Sequence, residues 1–172
     1  MMIDFLAELP RQRWPWLLLA TTALGLELTA LYFQYGMALD PCVLCVYERV
    51  AVAGILLAGL LGAVAPQVLV VRLSALLLWL LSAGWGLSLA LEHVGIQWGE
   101  VDLRCTYLAD FPSWAPLDVW WPAVFQPTGL CGEVQWAFLG LSMPGWMAVI
   151  YGLYLLAWLL VTGAGLGRMA RR

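Results

Sequence analysis

The chain has 172 residues, 63% of them hydrophobic and only 11% charged, with a mean hydropathy of +0.87 and no lysine. A soluble domain of this size would cover its core with charged side chains, so the composition excludes a solvated globule and points to a bilayer. The net charge of −3, with no basic stripe to neutralise phosphates, excludes a nucleic-acid partner.

A helix needs about 20 mostly apolar residues to cross the hydrocarbon core. Four runs qualify in chain order: 16–35, interrupted only by Glu27; 46–65, ended by Pro66; 71–91; and 144–163, opened by Pro144 in a first-turn position. The predicted fold is an all-α membrane protein, a four-transmembrane-helix bundle forming one integral membrane domain over 1–172. No small-residue cleavage site follows the first run, so that span is expected to be retained. Its Glu27 and Gln34 lie seven residues apart on one face, costly at membrane depth, and are expected to serve bundle-packing hydrogen bonds or a proton path.

A short loop at 36–45 and a long one at 92–143 join the spans. The long loop carries six acidic residues, four prolines before Thr128 and no sustained apolar period, so it lies outside the membrane. Within it, PLDVWWPAVF at 116–125 predicts a short helix resting on the interface, bent or broken at Pro122. Trp14, Trp16, Trp114, Trp120, Trp121, Trp136 and Trp146 fall at span ends or in this loop, where interfacial anchors belong. Arg11, Arg13, Arg72, Arg168, Arg171 and Arg172 share one side of such a chain, against Arg49 and Arg104 on the other. Basic residues near span ends stay cytoplasmic, so both termini are expected inside and both loops outside.

All four cysteines then fall on the outward, oxidising side. Cys42 and Cys45 form Pro-Cys-Val-Leu-Cys at the mouth of the second span, with Pro41 as a first-turn residue. Residues three apart share a helix face, so the two sulfurs can bond, and the unpaired amides and dipole of a helix start favour a thiolate. Arg49, one turn deeper, adds a permanent positive charge near that sulfur or near an electron acceptor beside it. Glu48, adjacent in sequence, points elsewhere and is expected to face headgroups.

Cys105 and Cys131 lie in the long loop. Taken alone they read as a structural disulfide, closing a loop of about 27 residues and worth roughly 3–4 kcal/mol on chain-entropy grounds. Beside a C-x-x-C on the same face, a second redox-active pair is the stronger reading. A four-cysteine zinc cluster is the alternative, although a C-x-x-C half-site usually has a second such motif or two histidines, and this chain has one histidine. A generator of disulfides needs an acceptor more oxidising than its own thiols, and in a membrane that acceptor is a quinone. Cys45, Arg49 and His93 fall at similar depth and could ring one quinone head, His93 bonding an oxygen and Arg49 stabilising developing negative charge.

The run LELTALYFQYGMALDPCVLCVYERV at 26–50, LEH around His93, FPSWAPLD at 111–118 and CGEVQWAFLGLSMPGW at 131–146 closely resemble the DsbB family of bacterial inner-membrane disulfide-bond formation proteins. The resemblance covers nearly the whole chain. It implies a thiol:quinone oxidoreductase that reoxidises a DsbA-like periplasmic thiol oxidase. Cys105 would be attacked by the reduced partner, with Cys131 its disulfide mate, and Cys42 and Cys45 would take the electrons by exchange. Cys45 would engage ubiquinone, or menaquinone anaerobically, with Arg49 and His93 beside it. One departure is Asp40, which puts a negative charge before Pro41 where the family commonly has a basic residue. A monomer is expected, since four spans can bury their polar faces among themselves. The competing classes are a membrane structural or binding protein with inert disulfides or zinc, and a quinone-linked reductase of the vitamin K epoxide type. The latter carries its C-x-x-C in a later span.

Overall fold

The computed structural model describes residues 2–99, 105 and 108–170. A short helix α1 (Met2–Glu8) and a 3-10 turn lead into α2 (Arg13–Leu31), which ends in a π-helical turn over Tyr32–Gly36. Two long helices follow, α3 (Val43–Val64) and α4 (Leu69–Gln97). The connection to the last span holds α5 (Leu117–Trp120), α6 (Pro122–Phe125) and a two-stranded hairpin, β1 (Ala137–Phe138) and β2 (Leu141–Ser142). The chain closes with α7 (Met143–Ala170).

Among the described residues four helices are long and apolar enough to span a bilayer, and the chain is a multi-pass membrane protein. All four start before the uncharged stretch that marked them, and α4 and α7 also run past its end, because helical hydrogen bonding continues through the interface until a cap or proline stops it. Their outer faces carry exposed Leu17, Leu18, Leu24 and Leu28 on α2 and Leu153, Leu156, Leu159 and Leu160 on α7. Such an apolar band is an aggregation surface in water and a match to lipid in a membrane.

Helix order is set by small residues. α2 packs on α3, α3 on α4 and α4 on α7, while α1 folds back on α7 and Glu8 pairs with Arg168. Ala23, Ala51, Ala58, Ala75, Ala83 and Ala90 are buried along these seams, where lipid supplies no hydrophobic drive and close backbone approach must do the work. A Cβ on Gly59 would stand 2.7 Å from the Ala20 nitrogen and 2.8 Å from the Trp16 oxygen, so α2 and α3 touch backbone to backbone there. Gly86 likewise makes room for the ring of Tyr151, whose hydroxyl donates to the Glu48 carbonyl at 2.7 Å. Trp16 is a correction to the interfacial reading: it is 2% exposed, packs edge-on against Trp79 at 6.2 Å and donates to the Pro10 carbonyl.

The helix over 116–125 is present as two short pieces, α5 and α6, broken at Trp121 just before Pro122. The hairpin had no alternating pattern to announce it. Its turn places Leu139 and Gly140 at φ 51° and 82°, the two positive values of a tight hairpin turn.

α2 and α7 make few direct contacts, although Tyr154 reaches Thr22 across the gap at 3.0 Å. At the end of the bundle that holds the cysteines, this gap widens into a cavity.

Candidate functional site: a cysteine, histidine and glutamate cluster at the mouth of an interhelical cavity

The start of α3 builds the first part of the site. Cys42, not Pro41, is the residue at the helix boundary: its backbone is extended, and its sulfur accepts the amide N–H of Cys45 at 3.2 Å. Proline therefore sits one residue outside the helix and not in its first turn. The cap fixes the Cys42 side chain over the helix start and brings its sulfur to 2.7 Å from that of Cys45, unbonded. Cys42 is buried and Cys45 half-buried.

His93, near the C-terminal end of α4, lies with its Nε2 3.6 Å from the Cys42 sulfur. Its Nδ1 faces a Glu48 carboxylate oxygen at 3.2 Å. Both side chains are buried, at 3% and 6% exposed. Glu48 thus departs from the headgroup-facing expectation. It does point away from Arg49, as adjacent helical residues must, but the direction it takes is inward, three residues beyond Cys45 on the same face. That i, i+3 spacing was the available signal. A carboxylate on Nδ1 favours the tautomer with Nδ1–H donating and the Nε2 lone pair turned to the thiol.

Arg49 occupies the other side of the cavity. Its guanidinium donates to Gln34 Oε1 and to the Val124 carbonyl, each at 2.7 Å, and to the Ala30 carbonyl at 3.4 Å. The π-turn that ends α2 presents Gln34 to it, and both Gln34 and Tyr35 also donate to the Ala123 carbonyl. One cation therefore ties α2, α3 and the α6 segment together. Arg49→Lys, which replaces a planar fork with a point charge, is expected to raise amide exchange at Val124 and Phe125 about tenfold, equivalent to losing roughly one charged hydrogen bond. Unchanged exchange would mean that the Ala123 contacts hold the segment alone.

The loop cysteines form a disulfide, Cys105–Cys131, with Cα atoms 6.1 Å apart. Two of the four sulfurs needed for a four-cysteine zinc cluster are thereby committed elsewhere. The disulfide packs in one apolar cluster with Cys42, Cys45, Val43, Leu44 and Leu89. Asp40 explains the proximity. Its carboxylate accepts from Thr128 at 3.0 Å, its amide donates to Gln135 Oε1 at 2.9 Å, and its carbonyl accepts from Gln135 Nε2 at 3.2 Å. Next to it, the Pro41 carbonyl accepts from the amides of Thr128 and Gly129. A Cβ on Gly129 would strike the Asp40 carbonyl oxygen, so only glycine permits this stitch. The acid that looked like a local charge perturbation is a latch holding Cys131 beside the C-x-x-C.

The cavity between α2 and α7 has a volume of about 310 Å³. Cys45, Arg49, His93, Glu27, Gln34 and Glu48 supply its polar end, and Leu26, Phe33, Val52, Trp136, Met147 and Ile150 much of its apolar wall. One carboxylate oxygen of Glu27 is buried without a hydrogen-bond partner among the described residues. Trp136, expected as an anchor, is a wall of this cavity, packed against Phe33 at 5.2 Å and stacked on Phe138 at 6.2 Å.

The profile of the family described as disulfide bond formation protein DsbB matches residues 12–161. Disulfide bond formation protein B of Aeromonas hydrophila subsp. hydrophila is 55% identical over 161 residues, covering 93% of this chain and 93% of its own. Its counterpart in Aeromonas salmonicida is 54% identical over 162 residues, 94% of each chain. That of Psychromonas ingrahamii is 51% identical over 159 residues, 92% of this chain and 86% of its own. A four-span helical bundle carrying a loop disulfide packed on a C-x-x-C pair, matched along nearly its whole length by these proteins, belongs to the DsbB family of membrane proteins of disulfide bond formation.

Proposed function

We propose that this protein reoxidises a DsbA-like periplasmic dithiol oxidase and passes the electrons through its two cysteine pairs to a membrane quinone. The observation that carries the reading is the contact between a closed Cys105–Cys131 disulfide and an open Cys42–Cys45 pair at the mouth of an apolar cavity. Inert cysteines have no reason to be packed pair against pair. The arginine distribution supports an orientation with both termini cytoplasmic and the cysteine end periplasmic.

The chemistry balances as successive exchanges. A thiolate of the reduced partner attacks Cys105, breaking the bond to Cys131, and the second partner thiolate resolves the mixed disulfide and leaves oxidised. The loop dithiol then re-forms its disulfide at the expense of a Cys42–Cys45 disulfide, leaving the C-x-x-C reduced. That is the combination of one closed and one open pair described above. Closing the Cys42–Cys45 bond again releases two electrons and two protons. The Nε2 of His93, 3.6 Å from the Cys42 sulfur and backed by Glu48, is the group that takes the Cys42 proton.

A quinone, ubiquinone or alternatively menaquinone, supplies the two-electron, two-proton sink when bound. The cavity fits such a group: its apolar walls suit a flat ring and the start of an isoprenoid tail, and its polar end offers Arg49 donors and the Glu27 oxygen that has no partner among the described residues. Arg49 favours negative charge at that end, Cys45 faces it, and the gap between α2 and α7 gives lateral access from lipid.

The test uses purified protein in detergent with a reduced DsbA-like dithiol protein and a soluble ubiquinone analogue, followed by quinone absorbance. Quinone loss that is abolished in both Cys45→Ser and Cys105→Ser supports the relay. An intact, oxidised protein that leaves the quinone unreduced sinks it and leaves the cysteines as inert bridges.

A further inference from the structure

The Cys42, Cys45 and His93 side chains offer three metal-ligand atoms that all lie within 4.8 Å of one another. We propose that the reduced C-x-x-C pair and His93 form a binding site for a single thiophilic d10 divalent cation, Zn²⁺ or Cd²⁺, with Glu48 as the outer partner of the imidazole. This goes beyond electron transfer and does not rest on the quinone reading. It would make soft metal ions direct competitors for the reduced state of the pair.

Geometry carries the argument. Tetrahedral zinc with sulfur at about 2.3 Å and nitrogen at about 2.05 Å requires a sulfur to nitrogen separation near 3.6 Å. The Cys42 sulfur and His93 Nε2 stand 3.6 Å apart. The two sulfurs, at 2.7 Å, must open to about 3.8 Å. Cys45 is the half-buried member of the pair and lines the cavity, so it is the sulfur with space to move. Metal-bound histidines almost always donate their other ring N–H to a carboxylate, and Glu48 on Nδ1 at 3.2 Å provides that arrangement. The cavity gives an entry path and leaves the fourth coordination position to water or an exogenous ligand.

Binding is a proton exchange with no redox change: the cation binds two thiolates and the neutral Nε2, and two thiol protons are released. A closed Cys42–Cys45 disulfide has no thiolate to offer, so the site exists only in the reduced protein. The metal would then hold both sulfurs away from exchange with the loop disulfide.

The test is a Cd²⁺ titration of the reduced full-length protein in detergent, on a Cys105→Ser/Cys131→Ser background that removes the loop thiols. Binding is followed by near-ultraviolet thiolate-to-metal absorbance and native mass spectrometry. One Cd²⁺ per chain is expected, lost on oxidation of the pair and in Cys45→Ser. Glu48→Gln is expected to weaken binding about 10- to 100-fold, His93→Ala to weaken it further, and His93→Cys to restore it by supplying a third thiolate. Circular dichroism shows whether each variant keeps its helices, and the rescue by His93→Cys separates ligation from a merely structural role. No stoichiometric binding, binding that survives Cys45→Ser, or equal affinity in His93→Ala and its parent would each overturn the proposal.

Discussion

Glu48→Ala is expected to destabilise the bundle by about 3–5 kcal/mol, the range for removing one partner from a buried pair. It should also slow thiol-dependent quinone reduction about 100-fold, the lower range for losing an oriented general base. The physical reason is that His93 is 3% exposed and has its Nδ1 on the Glu48 carboxylate, so without Glu48 the ring keeps a polar atom in an apolar surround and loses the bond that aims Nε2 at Cys42. Glu48→Gln separates the two effects. Its amide oxygen still accepts from Nδ1–H, which should restore most of the stability, while the lost negative charge no longer supports an imidazolium and leaves the rate low. Unfolding in detergent reads the first effect and steady-state quinone absorbance the second. A Glu48→Ala protein with the parent's unfolding midpoint and turnover would remove Glu48 from the site.

Gly59→Leu is the substitution expected to damage the fold most. A Cβ at position 59 alone meets the Ala20 nitrogen at 2.7 Å, the Trp16 oxygen at 2.8 Å and the Ala20 Cα at 2.9 Å. These are backbone atoms of a helix and cannot rotate away, so α2 must move off α3. The loss should reach about 3 kcal/mol or more, at or beyond the upper end for overpacking. Trp16, which packs into the same seam against Trp79, would be displaced as well. Gly163→Leu is the matched control: it adds the same side chain at an exposed position on α7 where a Cβ meets nothing within 4 Å, and it should leave unfolding unchanged. Equal stability of the two variants in a detergent-unfolding series would show that the α2 and α3 seam tolerates separation.

Some of this protein was determined by its sequence alone. Spans announce themselves because a helix that crosses lipid must be continuously apolar for about 20 residues, a signal that composition carries without any knowledge of neighbours. The C-x-x-C is equally local: Cys42 caps the helix that Cys45 belongs to, and the Cys45 amide on the Cys42 sulfur brings the two together within one turn. The break before Pro122 follows from a nitrogen with no N–H to donate to a carbonyl one turn back and a ring that crowds that carbonyl.

What only the tertiary structure decided are the directions and partners of side chains whose environment comes from distant segments. Glu48 turns inward because α4 delivers His93 to it, 45 residues away in sequence. Trp16 is core and Trp136 a cavity wall because small residues let α2 and α3 close on one and the loop fold over the other. Asp40 latches the long loop through Thr128 and Gln135, nearly ninety residues and more along the chain, and so sets Cys131 beside Cys42. Hydropathy and local spacing report what one segment does in its solvent; they hold no information on which polar atom of another segment will satisfy a buried one, and the site is made of such pairings.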